Sequence, residues 1–322
     1  MHVEYVAFDS LGVKSSCVKI ETDDVVITID PGIAEEVDSF PLPLKKRMEL
    51  RRRYANSIKK AIRDADIVVI SHYHYDHHIP DKNLYRGKTL LVKDPVRNIN
   101  SSQRKRAEEL LITIEANVKA ADGREFRFGD TKIWFSKPLW HGVEGTNLGK
   151  VIMVGVDDGS KKLLHTSDVD GPILEAPVKI IKDYKPDIII IDGPPTYILG
   201  YLHSYYNLAR STINLIKIME ETDAELIILD HHLLRDYRYR DLLYPSYLYA
   251  ERNSVNLKTV AELLGFKPAV LEGFERNGPT KWRTWQRFDS RGIMAVLQNA
   301  VKHRLISRRW LKEARETLAD LD

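Results

Sequence analysis

Cysteine is almost missing from this chain. Its 322 residues contain one, Cys17, which rules out an internal disulfide and makes a reducing, cytoplasmic setting the expectation. Within Ser16-Cys17-Val18-Lys19-Ile20 that residue reads as a buried strand position rather than a reactive thiol. No apolar run reaches the length of a membrane span, and the opening residues lack the layout of a secretory signal, so no membrane partner is expected. An excess of one charge sign is missing too. The net charge of +3 does not demand a polyanionic partner, and any such partner must be argued from local clusters. Internal repeats and low-complexity segments are also lacking. With 43% hydrophobic and 30% charged residues, the composition is that of a soluble globular chain able to bury one large core or two small ones.

Histidine, by contrast, is present and clustered. Ser71-His72-Tyr73-His74-Tyr75-Asp76-His77-His78 follows the apolar strand-like run Ile67-Val68-Val69-Ile70. Side chains of an extended segment alternate faces, so His72, His74 and Asp76 point one way. A turn at Asp76 would swing His77 towards the same space. Imidazole nitrogens and carboxylate oxygens are the ligands that zinc and similar ions take. Eight of the 11 histidines lie in or beside four segments that each follow a strand, namely His72/His74/His77/His78, His141, His165 and His231/His232. Donors carried on the ends of different strands meet at one rim of a sheet sandwich, where rigid elements hold them.

The rest of the chain supports such a sandwich. Strands are expected at Glu4–Phe8, Val13–Ile20 and Val25–Ile29, followed by a basic amphipathic helix burying Leu44, Met48, Ala55, Ile58 and Ile62. A strand at Thr89–Val92 precedes a helix near Gln103–Ile114 that Ser101 or Ser102 could cap. Hairpins are expected at Phe126–Phe135 and Val151–Leu164, turning at Gly129-Asp130 and Asp158-Gly159. Then come a helix at Ile173–Asp183, strand Ile188–Ile191, helix Leu208–Glu221, strand Leu226–Leu229, and helices at Leu248–Leu264 and Gly292–Leu318. Hairpins followed by strand–helix units predict two mixed sheets flanked by helices.

Read in order, the chemistry-bearing residues are Asp30; His72-Tyr73-His74-Tyr75-Asp76-His77; His141; Asp168; His231. This pattern resembles that of the metallo-β-lactamase-fold hydrolases. Asp9-Ser10-Leu11-Gly12-Val13-Lys14-Ser15-Ser16, Ile29-Asp30-Pro31-Gly32 and Ala261-Glu262-Leu263-Leu264-Gly265 resemble an archaeal branch of predicted hydrolases in that superfamily. The resemblance covers about residues 1–275 as a catalytic domain and leaves 276–322 as a helical extension packed on it. It implies an α/β fold of the α+β type, a four-layer αββα sandwich. It further implies that His72, His74 and His141 hold one divalent ion and that Asp76, His77 and His231 hold another, with Asp168 bridging. Zinc is the leading expectation, with manganese or iron as alternatives. Such a pair of ions acidifies the water between them into a hydroxide nucleophile, so Asp76, Asp168 and Asp30 would take part in the chemistry. Asp30 would orient a ligand from behind. His231 is favoured over His232 because His231-x-x-x-Arg235 resembles the corresponding element of the RNA-processing branch. His78, His232 and Asp192 are then expected behind the ligands or facing substrate, and His165 is as readily a packed strand residue as a catalytic one.

Two rival metal folds fail on the sequence. Asp-His-His phosphoesterases need an earlier His-x-Asp-x-Asp element, and none is present. Amidohydrolase barrels need eight repeated strand–helix units, whereas this chain opens on strands and hairpins. Substrate is less legible, with a nucleic acid and a small molecule both open. Lys281-Trp282-Arg283-Thr284-Trp285-Gln286-Arg287-Phe288 alternates cations with aromatics as single-strand nucleic-acid surfaces do, and the Lys45–Lys60 helix and Gln103-Arg104-Lys105-Arg106 could extend that surface. The bland alternative is aromatics packed inward between solvated cations. A phosphodiester or phosphate ester stands slightly ahead, a lactone or thioester comes second, and a non-catalytic metal-binding scaffold is the reading from another class. Oligomeric state is open, a homo-oligomer included.

Overall fold

The computed structural model describes residues 1–319 and 321. One sheet is built from β1 (His2–Phe8), β2 (Ser16–Glu21), β3 (Val26–Ile29), β4 (Ile67–Ile70), β5 (Thr89–Val92) and β6 (Asn117–Ala120), in that spatial order. β1 to β3 run antiparallel and β3 to β6 parallel. After β7 (Glu125–Phe128) and β8 (Thr131–Phe135) comes a two-stranded ribbon of β9 (Leu139–Trp140) and β10 (Lys150–Val151). β11 (Val154–Asp157), β12 (Lys162–His165), β13 (Ile188–Asp192), β14 (Leu226–Asp230) and β15 (Leu257–Lys258) complete the second sheet, ordered β15-β14-β13-β12-β11-β8-β7. β12 to β15 are parallel.

The two-residue period of a strand sorts the apolar residues into layers. On β4, Ile67 and Val69 enter the core between the sheets, with Phe8, Ile29, Ile133, Val156 and Ile190. Val68 and Ile70 point the other way, onto Ile58 and Ile62 of α1 (Leu44–Asp64) and Ala107 and Leu110 of α2 (Ser101–Leu111). On β13, Ile190 faces inward while Ile189 and Ile191 meet α3 (Glu175–Tyr184) and α4 (Tyr205–Glu221). Helix, sheet, sheet, helix is the expected four-layer order. No helix among the described residues is long and apolar enough to cross a membrane.

Several expectations need correcting. Residues 13–15 are not strand: Asp9–Leu11 forms a 3-10 turn, Gly12 is left-handed at φ 89°, and β2 starts at Ser16. The turn directs the Asp9 carboxylate inward, where it accepts the Ser15 amide. Leu44 and Met48 are 53% and 61% exposed. Leu44 lies on the same helical stripe as Ile58, about four turns on, but full burial along α1 begins only at Ile58. Asn100, not Ser101 or Ser102, caps α2 through the Gln103 amide. The expected helix at Leu248–Leu264 breaks at left-handed Ser254, and β15 and a Thr259–Glu262 capping box intervene. The expected helix at Gly292–Leu318 is two helices, Ser290–Lys302 and Arg309–Leu318, separated at left-handed Arg304. Both pack on α4, where Lys217 pairs with Glu313 at 2.6 Å and Arg210 lies 4.9 Å from the Trp310 ring.

Candidate metal centre

The parallel strands end at one rim, and the chemistry-bearing residues follow those ends. β3 leads to Asp30, β4 to His72–His77, β12 to Asp168, β13 ends in Asp192, and β14 leads to His231. The ribbon strand β9 delivers His141. The His72–His78 segment is fixed from behind, since the buried Tyr73 hydroxyl donates to the Lys93 carbonyl (2.7 Å) and the Tyr73 amide to Gln103 (3.2 Å). Gly32 lets the Asp30-Pro31-Gly32 turn lie against that segment. A Cβ at Gly32 would sit 2.1 and 2.2 Å from the amide nitrogens of His78 and His77. Asp30, Ser167, Asp170 and His231 all have positive φ (49°, 55°, 53° and 64°), a conformation that costs non-glycine residues on the order of 1 kcal/mol each.

Two groups of donors result. His72, His74, His141 and Asp168 each offer an atom within 4.8 Å of the others, and Asp76, His77 and His231 form a second such group. Asp168 faces both. Its Oδ2 lies 3.1 Å from His141 Nε2 and 3.4 Å from His72 Nε2, while Oδ1 lies 3.1 Å from His77 Nε2 and 3.5 Å from His231 Nε2. Both Asp168 oxygens and the Nε2 atoms of His72, His77 and His231 are buried without a hydrogen bond. Buried polar atoms are normally paired, so five orphaned donors aimed at shared space fit divalent ions. Imidazole and carboxylate without thiolate suits zinc, manganese and iron alike.

Protons compete for the same atoms. Burial alone would lower His77, but the Asp168 and Asp30 carboxylates overcome it and raise it to about 10. Burial, reinforced by the charge of His77, takes His72 down to about 4. Burial would raise Asp168, yet His77, His231 and His72 hold it well below the usual carboxylate range.

Carboxylates hold the far nitrogens. His77 Nδ1 lies 2.9 Å from Asp30 Oδ2, and His231 Nδ1 lies 2.8 Å from Asp9 Oδ2. Asp192 plays this part for His232, at 2.9 Å from Nδ1, and also accepts the Asp170 amide. His232 forms a further close group with Asp170 and Asp192. His78 belongs to neither main group; it is buried, with Nδ1 against the His74 carbonyl at 2.9 Å. His165 is a packed strand residue, its Nε2 against the Ser16 hydroxyl at 2.8 Å.

Asp9, Asp170, Ser71 and Ser167 were not among the expected site residues. Arg235 stood only as part of the His231 motif. It is 3% exposed and bonds Asp9 Oδ1 at 2.6 Å and Asp76 Oδ2 at 3.3 Å. The available signal for Asp9 is its position after a strand, which it shares with Asp30, Asp168 and His231.

Glu36 is buried nearby, with both carboxylate oxygens unpaired. Burial, with Asp9 adding to it, lifts this carboxyl from its ordinary 4.5 to about 8. The folded chain then keeps a proton that the unfolded chain has lost, so stability should fall as pH rises from about 4.5 to about 8. The slope for one proton reaches about 1.4 kcal/mol per pH unit. Urea unfolding at the two ends of that window should show a smaller decline for Glu36→Gln than for the parent. Equal declines would refute the assignment.

The Lys281–Phe288 segment turns its aromatics inward. Phe288 is buried; Trp282 lies under the Arg238 guanidinium at 3.4 Å, and Trp285 Nε1 donates to Asp241 at 3.0 Å. Trp282 and Trp285 pack against the core while staying partly exposed. Beside the centre, Arg106 lies 5.0 Å from the Tyr75 ring, and Lys150 lies 4.4 Å from the Trp140 ring.

Comparison with known proteins agrees with this fold. A family model described as a beta-lactamase superfamily domain matches residues 12–200. A UPF0282 protein from Methanopyrus kandleri is 40% identical over 291 residues, covering 85% of this chain and 97% of that protein. A second, from Pyrococcus furiosus, is 39% identical over 295 residues, covering 86% and 91%. Among solved structures, CmlA, a diiron β-hydroxylase from Streptomyces venezuelae, superposes with a TM-score of 0.50 at 13% identity, over 80% of this chain and 52% of that one. At that identity the likeness concerns fold alone.

Proposed function

The chain belongs to the UPF0282 family of the beta-lactamase superfamily, and on that footing we propose that it is a metal-dependent hydrolase acting on a small phosphodiester or phosphate ester. The observation that carries this reading is the Asp168 carboxylate, whose two unpaired oxygens each face a different group of imidazoles. In this reading His72, His74 and His141 would hold one divalent ion and Asp76, His77 and His231 a second, with Asp168 available to both. Bound there, the ions would supply Lewis acidity to the substrate and acidify water for attack.

The chain's own residues prepare that chemistry. Asp30 and Asp9 lie against Nδ1 of His77 and His231, so it is the Nε2 atoms that face the centre. His72 and Asp168 are 0% and 1% exposed, so bulk water is largely kept from the donors. Arg106 over Tyr75 and Lys150 over Trp140 place cations beside residues that neighbour Asp76 and His141, which suits an anionic ester. The inward turn of Trp282 and Trp285 favours a small ester over a nucleic-acid strand.

A substrate screen of metal-loaded protein tests this. A chromogenic phosphodiester should be hydrolysed, activity should vanish with chelator, and added metal should restore it. Turnover of lactones or thioesters without phosphodiester turnover would overturn the substrate assignment. Less than one bound metal per purified chain would overturn the enzyme reading.

A further inference from the structure

We infer that the two metal positions are unequal, the Asp76–His77–His231 position holding its ion at least about tenfold more tightly than the His72–His74–His141 position. This rests on the seven-ligand reading above. A histidine that ligates a metal through one nitrogen is oriented, and made more basic, by whatever its other nitrogen touches; such partners are worth about 10–100-fold in metal affinity. The two positions differ sharply in those partners.

At the Asp76–His77–His231 position both imidazoles lean on buried carboxylates, Asp30 at 2.9 Å and Asp9 at 2.8 Å. The carboxylates are themselves pinned. Asp30 accepts the Ser71 amide at 2.7 Å and the Ser71 hydroxyl at 2.6 Å. Asp9 accepts Arg235 Nε at 2.6 Å and the Ser15 amide at 3.1 Å. Arg235 also reaches Asp76 at 3.3 Å, so one guanidinium opposes the ion's charge. Against it stand two carboxylates that are not themselves ligands, and the balance is negative.

The other position has weaker support. His72 Nδ1 reaches only hydroxyls, Ser71 Oγ at 3.2 Å and Ser167 Oγ at 3.3 Å, and the Ser71 hydroxyl is already given to Asp30. His141 Nδ1 is buried without a hydrogen bond, its ion-pair contact being Asp170 Oδ1 at 3.7 Å. His74 is only partly buried. Neutral hydroxyls and a distant carboxylate orient these rings less firmly and leave them less basic. Asp9 and Asp30 are thus positioning residues for one ion in particular.

Metal content can be read directly, without an activity assay. Protein loaded with Zn²⁺ is dialysed against rising chelator, and zinc per chain is measured at each step. The expected curve falls from two ions to one, then to none at a chelator concentration at least about tenfold higher. His74→Ala should keep the tightly held ion and lose the other. Asp30→Asn should move the tight step down by about 10–100-fold while the loose step stays near its place. Because Asp30→Asn could disturb the Ser71 turn, His231→Ala provides a second check and should leave only loosely held zinc. Loss of both ions from the parent protein in one step would overturn the inference, as would tight retention in His231→Ala. A parent protein that never binds a second ion would instead overturn the seven-ligand reading.

Discussion

Asp168→Ala is expected to abolish hydrolysis while leaving the fold intact. The reasoning has two halves. Asp168 is 1% exposed, and neither carboxylate oxygen makes a hydrogen bond to the scaffold, so its removal takes away ion-pair contacts with the site histidines and leaves the hydrogen bonds of the fold in place. Yet its carboxylate faces both groups of imidazoles, from 3.1 to 3.5 Å. Loss of a shared donor should cost several kcal/mol of transition-state stabilisation, on the order of 10³-fold or more in kcat/KM. Circular dichroism and thermal unfolding would report the fold, and kcat/KM on the best substrate would report the chemistry. Activity within tenfold of the parent would exclude a bridging role for Asp168.

Arg235→Ala should produce the largest loss of stability. This guanidinium is 3% exposed and holds Asp9 at 2.6 Å, Asp76 at 3.3 Å and the Tyr197 hydroxyl at 3.3 Å. Removing one member of a buried ion pair strands the other without solvent, at a cost of about 3–5 kcal/mol. Here it leaves the fully buried Asp9 with His231 as its remaining charged partner. Arg235→Lys should recover only part of the loss, because a single ammonium cannot span the same acceptors as a planar guanidinium. Urea unfolding of the metal-free protein measures the effect apart from any ion. A loss under about 1 kcal/mol would show that the network is not structurally important.

Why some of this was legible in the sequence and some was not follows from distance along the chain. The His72–His77 run is local, and the two-residue strand period alone places its members on one side. The hairpin turns at Gly129-Asp130 and Asp158-Gly159 carry their own chemistry. Asp9 is different, because its partner His231 lies 222 positions away and nothing near Asp9 announces it. The breaks at Ser254 and Arg304 occur at left-handed residues that are not glycine, so the usual stop signal is lacking. In Lys281–Phe288 alternation reads the same whether the rings face solvent or core. Only the packing of Trp282 against Arg238 and Tyr237 distinguishes them.

The centre draws on both sheets. Asp9, Asp30 and His72–His77 follow strands of the first sheet, whereas Asp168 and His231 follow strands of the second. A half-built molecule therefore offers only part of a binding site, and full affinity comes into being when the sheets close on one another. Ions that bind only the closed form add their binding free energy to its stability by mass action. On the proposed reading the cluster at the rim would thus also act as a clasp. In a cell short of metal, the same chain would be both idle and easier to open.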